Sequence, residues 1–317
     1  MFNQETLIAF GPVPSRRLGQ SLGVNHIPPK ICTYSCIYCQ IGRTLNYSDR
    51  RMEYYNQDCI FEEVQKRLNK FEEQGGKIDY ITFVPDGEPT LDINLGKEIA
   101  LLRQLGRKIA VITNASLLGS DEVKEELSNA DLVSVKMDAA SEDVWRYINK
   151  PKRNLSIEAI LRGISDFSDL FKGELITETM LVKDVNDKLE EISKVAGYLS
   201  QVKHTKSYLS IPTRPPAERW VEPADEHTLT AAYFLFNKMA IKTEYLIGYE
   251  GNEFACTGDV EKDILSITSV HPMRKDAVEE YLEKAHVDWH EIENLIEAEK
   301  LIKILYKQEI FYMRKLQ

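Results

Sequence analysis

From Ile78 onward the chain alternates short β-rich runs with longer stretches whose apolar residues recur at helical spacing. "IDYITFV" (78–84) stops at a Pro-Asp-Gly turn, and "LGKEIALLRQLG" (95–106) predicts a helix closed by Gly106. "KIAVITN" is the next strand. "SDEVKEELSNA" follows as a helix with Ser120 as its N-cap and Asp121 and Glu122 in its first turn. Then come strand "DLVSVKMD", helices around Val144 and from Ser156 to Phe171, strand "ELITETMLV", a helix from Asp187 to Val202 and strand "SYLSIP". With the earlier run "SLGVNHI", six strands are predicted, separated mostly by helices. Such alternation implies an α/β protein with a parallel sheet, curled or open, whose function sits at the carboxyl ends of its strands. Asp86, Gly87, Glu88, Asn114, Lys136, Asp138 and Arg214 all fall at or just past those ends.

After the proline-rich "IPTRPPAERWVEP" the pattern changes. A helix is predicted from about Ala224 to Ile241, then a link through Gly248, Gly251 and Gly258. The tail opens with "DILSITSVHP". It continues with a helix carrying Val278, Tyr281, Leu282 and Ala285 on one face, and another carrying Trp289, Ile292, Leu295 and Ile296. "LIKILYKQEIFYM" reads as a hairpin. Helix, helix, hairpin suggests a winged-helix-like unit over 259–317, joined by an extension over 223–258 to a main domain over 1–222. The helix of "HVDWHEIENLIEAEK" carries Asp288, Glu291, Glu293 and Glu297. A phosphate backbone would repel it, so this unit is expected to be a lid or interaction module and not a DNA reader.

The 317 residues include 43% apolar and 28% charged ones, with a formal charge of -10, which opposes non-specific attraction to nucleic acid or anionic membrane. Local basic candidates are Arg16 and Arg17, Arg50 and Arg51, and Lys150, Lys152 and Arg153. No run approaches the ~18 apolar residues of a membrane span, and "MFNQETLIAF" lacks a basic leader, so a cytoplasmic location without membrane partners is expected.

Three of the five cysteines, Cys32, Cys36 and Cys39, lie within eight positions in "KICTYSCIYCQIGRT". A zinc site would need a fourth ligand, for which only His26 or a distant residue is available. A cubane iron–sulfur cluster held by three thiolates leaves its fourth iron open to an external ligand. Cys32-x3-Cys36-x2-Cys39, with Tyr38 before the last cysteine, resembles the motif of the radical S-adenosylmethionine (SAM) superfamily. The resemblance implies a 4Fe–4S cluster whose open iron chelates SAM and whose electron cleaves it to methionine and a 5'-deoxyadenosyl radical. "FVPDGEPT" resembles the family's Gly-Gly-Glu-Pro element: Gly87, Glu88 and Pro89 match it and Asp86 replaces its first glycine. By that likeness Gly87 and Glu88 hold the SAM amino group, and Asn114 of "VITN" reaches the ribose.

"FGPVPSRRLGQSLGVNHIPPKICTYSCIYCQIGRT", "GEPTL" and "RPP" resemble the branch related to the tRNA wybutosine synthesis enzyme, over about Phe10 to Trp220. That implies a partial TIM barrel of six βα units and an electron donor such as flavodoxin or ferredoxin. The branch's second cluster would need three more cysteines, and only Cys59 and Cys256 remain. Alternatives are a tRNA-modifying enzyme of that type, or a winged-helix regulator using an iron–sulfur or zinc sensor. Lys136, Asp138, Arg214 and Cys256 are the candidates for catalysis or for an anionic, small or peptide substrate. Arg214 also has a structural reading, an ion pair with Glu218. Cys59 and Cys256 also fit as small buried apolar residues, and His286 and His290 as exposed ones.

Overall fold

The computed structural model describes residues 8–248, 254, 256 and 258–315. Its strands in chain order are β1 (Ala9–Ser15), β2 (Gly19–Val24), β3 (Ile31–Cys32), β4 (Asn46–Tyr47), β5 (Tyr80–Phe83), β6 (Lys108–Thr113), β7 (Leu132–Lys136), β8 (Glu174–Met180), β9 (Lys206–Ser210), β10 (Thr243–Leu246), β11 (Met273–Arg274), β12 (Leu301–Tyr306) and β13 (Glu309–Arg314). The helices are α1 (Gln57–Glu73), α2 (Leu95–Leu102), α3 (Asp121–Leu127), α4 (Glu142–Asn149), α5 (Ile157–Leu170), α6 (Leu189–Leu199), α7 (Glu226–Lys238), α8 (Val260–Val270), α9 (Lys275–Ala285) and α10 (His290–Glu297).

The main sheet runs β1-β2-β5-β6-β7-β8-β9-β10. The six expected strands are β2 and β5 to β9, all parallel to their neighbours in this row. Two more extend it. β10 adds a parallel edge beside β9, and β1 folds back on β2 as an antiparallel hairpin. β1 reads "AFGPVPS", and two prolines suit an edge strand, where missing N–H groups break no ladder.

The sheet is curled. Arg17, in the β1–β2 turn, donates from Nη1 to Glu178 of β8 at 2.6 Å although three strands stand between β2 and β8. Side-chain alternation then separates two cores. Leu22, Phe83, Ile109, Val111, Val133 and Leu175 face outward to the helices, while Leu18, Ala110, Leu132, Ile176 and Tyr208 pack together inside the curl. The result is a partial TIM barrel.

The tail runs α8, β11, α9, α10, β12, β13, with an antiparallel sheet in the order β11-β13-β12. The run "DILSITSV" lies in α8 and every one of its residues is buried, the polar Asp263, Ser266, Thr268 and Ser269 included, so no exposed polar face alternates with an apolar one to mark it as an amphipathic helix. Phe10 and Val13 of β1 belong to the tail's core. Below them Arg67 of α1 donates from Nη2 to Asp263 of α8 at 2.7 Å and from Nε to the Gly11 carbonyl at 2.8 Å. Tyr281 of α9 gives its hydroxyl hydrogen to the same Asp263 at 2.7 Å. Among the described residues no helix is long and apolar enough to cross a membrane.

Removing a buried acceptor leaves its donors without a counter-charge, at a cost of about 3–5 kcal/mol. Asp263→Ala is therefore expected to lower the urea midpoint of unfolding markedly, and an unchanged midpoint would count against this description of the tail's attachment.

Candidate functional site

The segment after β2 carries the three cysteines and is zipped to the end of β5. Lys30 N–H donates to the Asp86 carbonyl at 2.7 Å, Glu88 N–H donates to the Ile31 carbonyl at 3.1 Å, and Ile31 bridges Gly87 as a parallel pair. A β-carbon at Gly87 would stand 2.0 Å from the Ile31 oxygen, so only glycine permits this approach. Cys36 and Cys39 follow in a tight turn, with Cys39 N–H on the Cys36 carbonyl at 3.1 Å. All three cysteines line a cavity of about 360 Å³ inside the curl.

Hydrogen bonds reach two of the sulfurs: Asn114 Nδ2 lies 3.6 Å from Cys32 Sγ and Asn149 Nδ2 lies 3.4 Å from Cys36 Sγ. Burial and the Glu88 carboxylate push the Cys32 thiol well above the ordinary range; burial and Cys39 push Cys36 up to about 12. Burial also raises Cys39, with the Lys30 ammonium pulling the other way. Buried thiols of this kind become thiolates when a metal takes the place of the proton. Among the described residues no three His, Cys, Asp or Glu side chains form a single-ion site. Three thiols lining one cavity, with amide donors on two of their sulfurs, fit a cluster that spreads its irons between them. His26 is not a fourth ligand. Its ring is fully buried, Nε2 lies 3.1 Å from the Pro89 carbonyl, and burial lowers its pKa to about 4.

Glu88 joins the ends of β5 and β6. Its Oε1 accepts from Thr90 N–H at 3.1 Å and from the hydroxyls of Thr90 and Thr113, both at 2.6 Å, while Oε2 accepts Asn114 N–H at 2.8 Å. That leaves Oε2 room for one more donor from the cavity. Pro89 opens the 3-10 turn that Glu88 caps. Asn114 lines the cavity, but its amide faces the cysteine loop: Nδ2 also donates to Thr33 Oγ1 at 2.8 Å, and Oδ1 accepts Ser116 N–H at 2.9 Å. Asp86 is buried with Lys30 at 3.7 Å, and burial raises its pKa to about 7 against that charge.

Lys136 lines the cavity with its Nζ 3.1 Å from Glu178, 3.4 Å from Asp138 and 5.0 Å from the Tyr38 ring centre. Asp138 itself lies behind the wall, accepting from the Tyr38 hydroxyl, from Asn149 Nδ2 at 2.8 Å and from Met180 N–H at 2.9 Å. It positions Tyr38, the residue beside Cys39. Burial would raise the Glu178 carboxyl, yet Lys136 and Arg17 outweigh it and bring the pKa to about 2. Glu178 and Arg17, the latter in the β1–β2 turn, are thus central, although the sequence marked Arg17 only as one of several basic candidates and Glu178 not at all.

The roof comes from three distant segments. Arg214 Nη2 donates to His271 Nε2 at 2.9 Å and Nη1 to Gln40 Oε1 at 3.3 Å, and Gln40 Nε2 donates in turn to the Val270 carbonyl at 2.8 Å. Burial and Arg214 hold His271 neutral, well below the usual histidine range. The expected pair of Arg214 with Glu218 does not form; Glu218 takes Arg43 and Lys150 instead. Cys256 is not on the cavity wall: it packs into the tail core beside Tyr281. Cys59 is exposed on α1 and not buried, whereas His286 and His290 are exposed as expected.

Gly87→Ala is expected to push the cysteine loop off β5. After anaerobic iron and sulfide loading the variant should hold less than half the iron of the wild-type chain while keeping its far-UV circular dichroism. Equal iron would contradict the close-approach argument.

Residues 27–196 match the Radical SAM superfamily. The chain is 46% identical to a UPF0026 protein of Methanocaldococcus jannaschii over 98% of its own length and 97% of the relative's. It is 38% identical to a UPF0026 protein of Synechocystis sp. over 70% of this chain and 82% of that one. Among solved structures it resembles a radical SAM methyltransferase from Sphaerobacter thermophilus, with TM-score 0.56, 14% identity and coverage of 72% and 66%. It also resembles TYW1 with a lysine-pyruvate adduct bound, with TM-score 0.53, 17% identity and coverage of 69% and 73%. At these identities the likeness is one of fold. The full-length relative places the chain among the UPF0026 proteins, and the family match over more than half of its length is decisive: the chain belongs to the radical SAM superfamily, enzymes that use an iron–sulfur cluster and SAM.

Proposed function

We propose that this radical SAM enzyme holds one site-differentiated 4Fe–4S cluster on Cys32, Cys36 and Cys39, binds SAM against Gly87 and Glu88, and acts on a small anionic substrate enclosed in the barrel. The observation that carries the reading is the meeting of the three thiols, Glu88 and Lys136 on one cavity wall. When bound, the cluster and SAM supply a one-electron cleavage that yields methionine and a 5'-deoxyadenosyl radical able to abstract hydrogen.

The chain's own groups have separable tasks in this reading. Glu88 Oε2 accepts from the SAM ammonium, and Asn114 and Asn149 turn N–H groups to the sulfurs, where they favour thiolate over thiol. Asn114 therefore acts through the cysteine loop and not on the ribose. Arg17, Lys136 and Arg214 line the cavity against two carboxylates, Glu88 and Glu178, the latter held directly by Arg17 and Lys136, an excess of positive charge that favours an anionic group. Gln40, Arg214 and His271 close the roof, which keeps water from a radical intermediate.

The order helix, strand, helix, helix, strand, strand supports a winged-helix reading of the tail. Its α8 end forms part of the roof, which favours a lid over a sensor-regulator. Beyond the cysteine loop only Cys59, exposed on α1, and Cys256, packed against the tail core, remain, too few thiolates for a second cubane, so wybutosine-type chemistry on a second cluster is disfavoured. The partners in this reading are a one-electron carrier such as flavodoxin or ferredoxin and an unidentified substrate, in the cytoplasm.

Cys32→Ala, Cys36→Ala and Cys39→Ala should each abolish violet absorbance after anaerobic reconstitution, and wild-type iron should saturate near ~4 per chain, one cubane. Full cluster absorbance in any of the three variants, or iron and sulfide near ~8 per chain, would overturn the assignment.

A further inference from the structure

The outer side of the cysteine loop is a surface of its own. Lys152 N–H donates to the Thr33 carbonyl at 2.9 Å, Ser35 N–H to the Asn149 carbonyl at 3.1 Å, and Glu218 N–H to the Ile37 carbonyl at 3.0 Å. Segments 43–50, 150–154 and 218–220 therefore back directly onto the loop whose sulfurs face the cavity. Side chains tie them together: Glu218 accepts from Arg43 at 2.7 Å and Lys150 at 2.6 Å, and Asp49 accepts from Lys152 and Asn154.

These three segments carry six basic residues and two carboxylates, in a chain whose formal charge is -10. Arg50, Arg153 and Arg219 are exposed and make no ion pair among the described residues. Beside Arg219, Trp220 and Tyr147 hold their rings 5.9 Å apart while remaining 50% and 56% exposed. An aromatic pair rimmed by arginines is a typical composition for an interface centre.

Resting on the reading above, we infer that this face docks an acidic one-electron carrier protein, which passes its electron through the cysteine loop to the cluster. The carrier is oxidised by one electron and the cluster reduced by one, with no bond made or broken. Charge complementarity favours an acidic partner, and position favours an electron carrier, because the roof and barrel cover the other side of the loop. A long nucleic acid would run beyond the patch onto a surface of net negative charge, whereas a compact acidic protein covers the patch alone.

The test uses the reconstituted full chain and a triple variant, Arg50→Glu, Arg153→Glu and Arg219→Glu, none of which touches the cavity. Cluster reduction is followed by stopped-flow loss of violet absorbance, with either reduced plant-type [2Fe–2S] ferredoxin or dithionite. The ferredoxin rate at low salt should fall by about tenfold or more, as expected for lost electrostatic steering, and its salt dependence should flatten. The matching Arg→Gln triple variant should fall between. Dithionite should reduce all three proteins at one rate. A wild-type ferredoxin rate in the Glu variant would overturn the proposal, as would equal slowing with dithionite. Loss of oligoribonucleotide binding with an unchanged ferredoxin rate would overturn it in favour of a nucleic-acid surface. A wild-type chain that loads no dithionite-reducible cluster would instead overturn the radical SAM assignment of the site, and this proposal with it.

Discussion

Gly87 passes so near the Ile31 carbonyl that no side chain fits between them, and from this contact the arrangement of the site follows. The peptide groups on either side lock the cysteine loop to β5 in parallel register, with Lys30 on the Asp86 carbonyl and Glu88 N–H on Ile31. Glu88 then bonds across to Thr113 and Asn114 at the end of β6, and Asn114 bonds back to Cys32 and Thr33. A closed circuit of hydrogen bonds thus runs from loop to β5 to β6 and returns to the loop. Local contacts alone would leave three thiols on a segment of nearly structureless chain; the circuit gives them fixed places on the cavity wall.

The barrel interior sets the electrostatics that the site works in. A carboxylate buried alone would be protonated, yet Glu178 stays charged because Lys136 and Arg17 stand on either side of it. Arg17 reaches it from the turn of the β1–β2 hairpin, so the strand that starts the sheet also helps hold its curl. The tail contributes in the same way at the other end. Phe10 and Val13 anchor it by packing, Asp263 by charge, and His271 and Val270 bring its α8 terminus to the roof.

How much of this was legible follows from which signals are local. The six parallel strands, the cysteine spacing and Gly87-Glu88-Pro89 lie in short windows with strong patterns, and each is found where expected. β1 was hidden by its prolines, and α8 by being buried on every side. Glu178 in "ELITETM" looks like one polar position of an alternating strand; only its pairing with Arg17, 161 positions away, marks it. His271 likewise looks like any tail histidine until Arg214 is seen beside it. Cys256 had two readings in the sequence, and its surroundings choose the small apolar one, since reactivity belongs to a thiol's environment and here that is a packed core.

The central claim is that the cavity beside Cys32, Cys36 and Cys39 supports reductive cleavage of SAM. It is tested most directly by incubating the anaerobically reconstituted chain with SAM and dithionite and measuring 5'-deoxyadenosine and methionine by liquid chromatography. The account predicts equal amounts of both, and neither with Cys36→Ala. A wild-type chain that holds a reducible cluster yet forms no 5'-deoxyadenosine would contradict it.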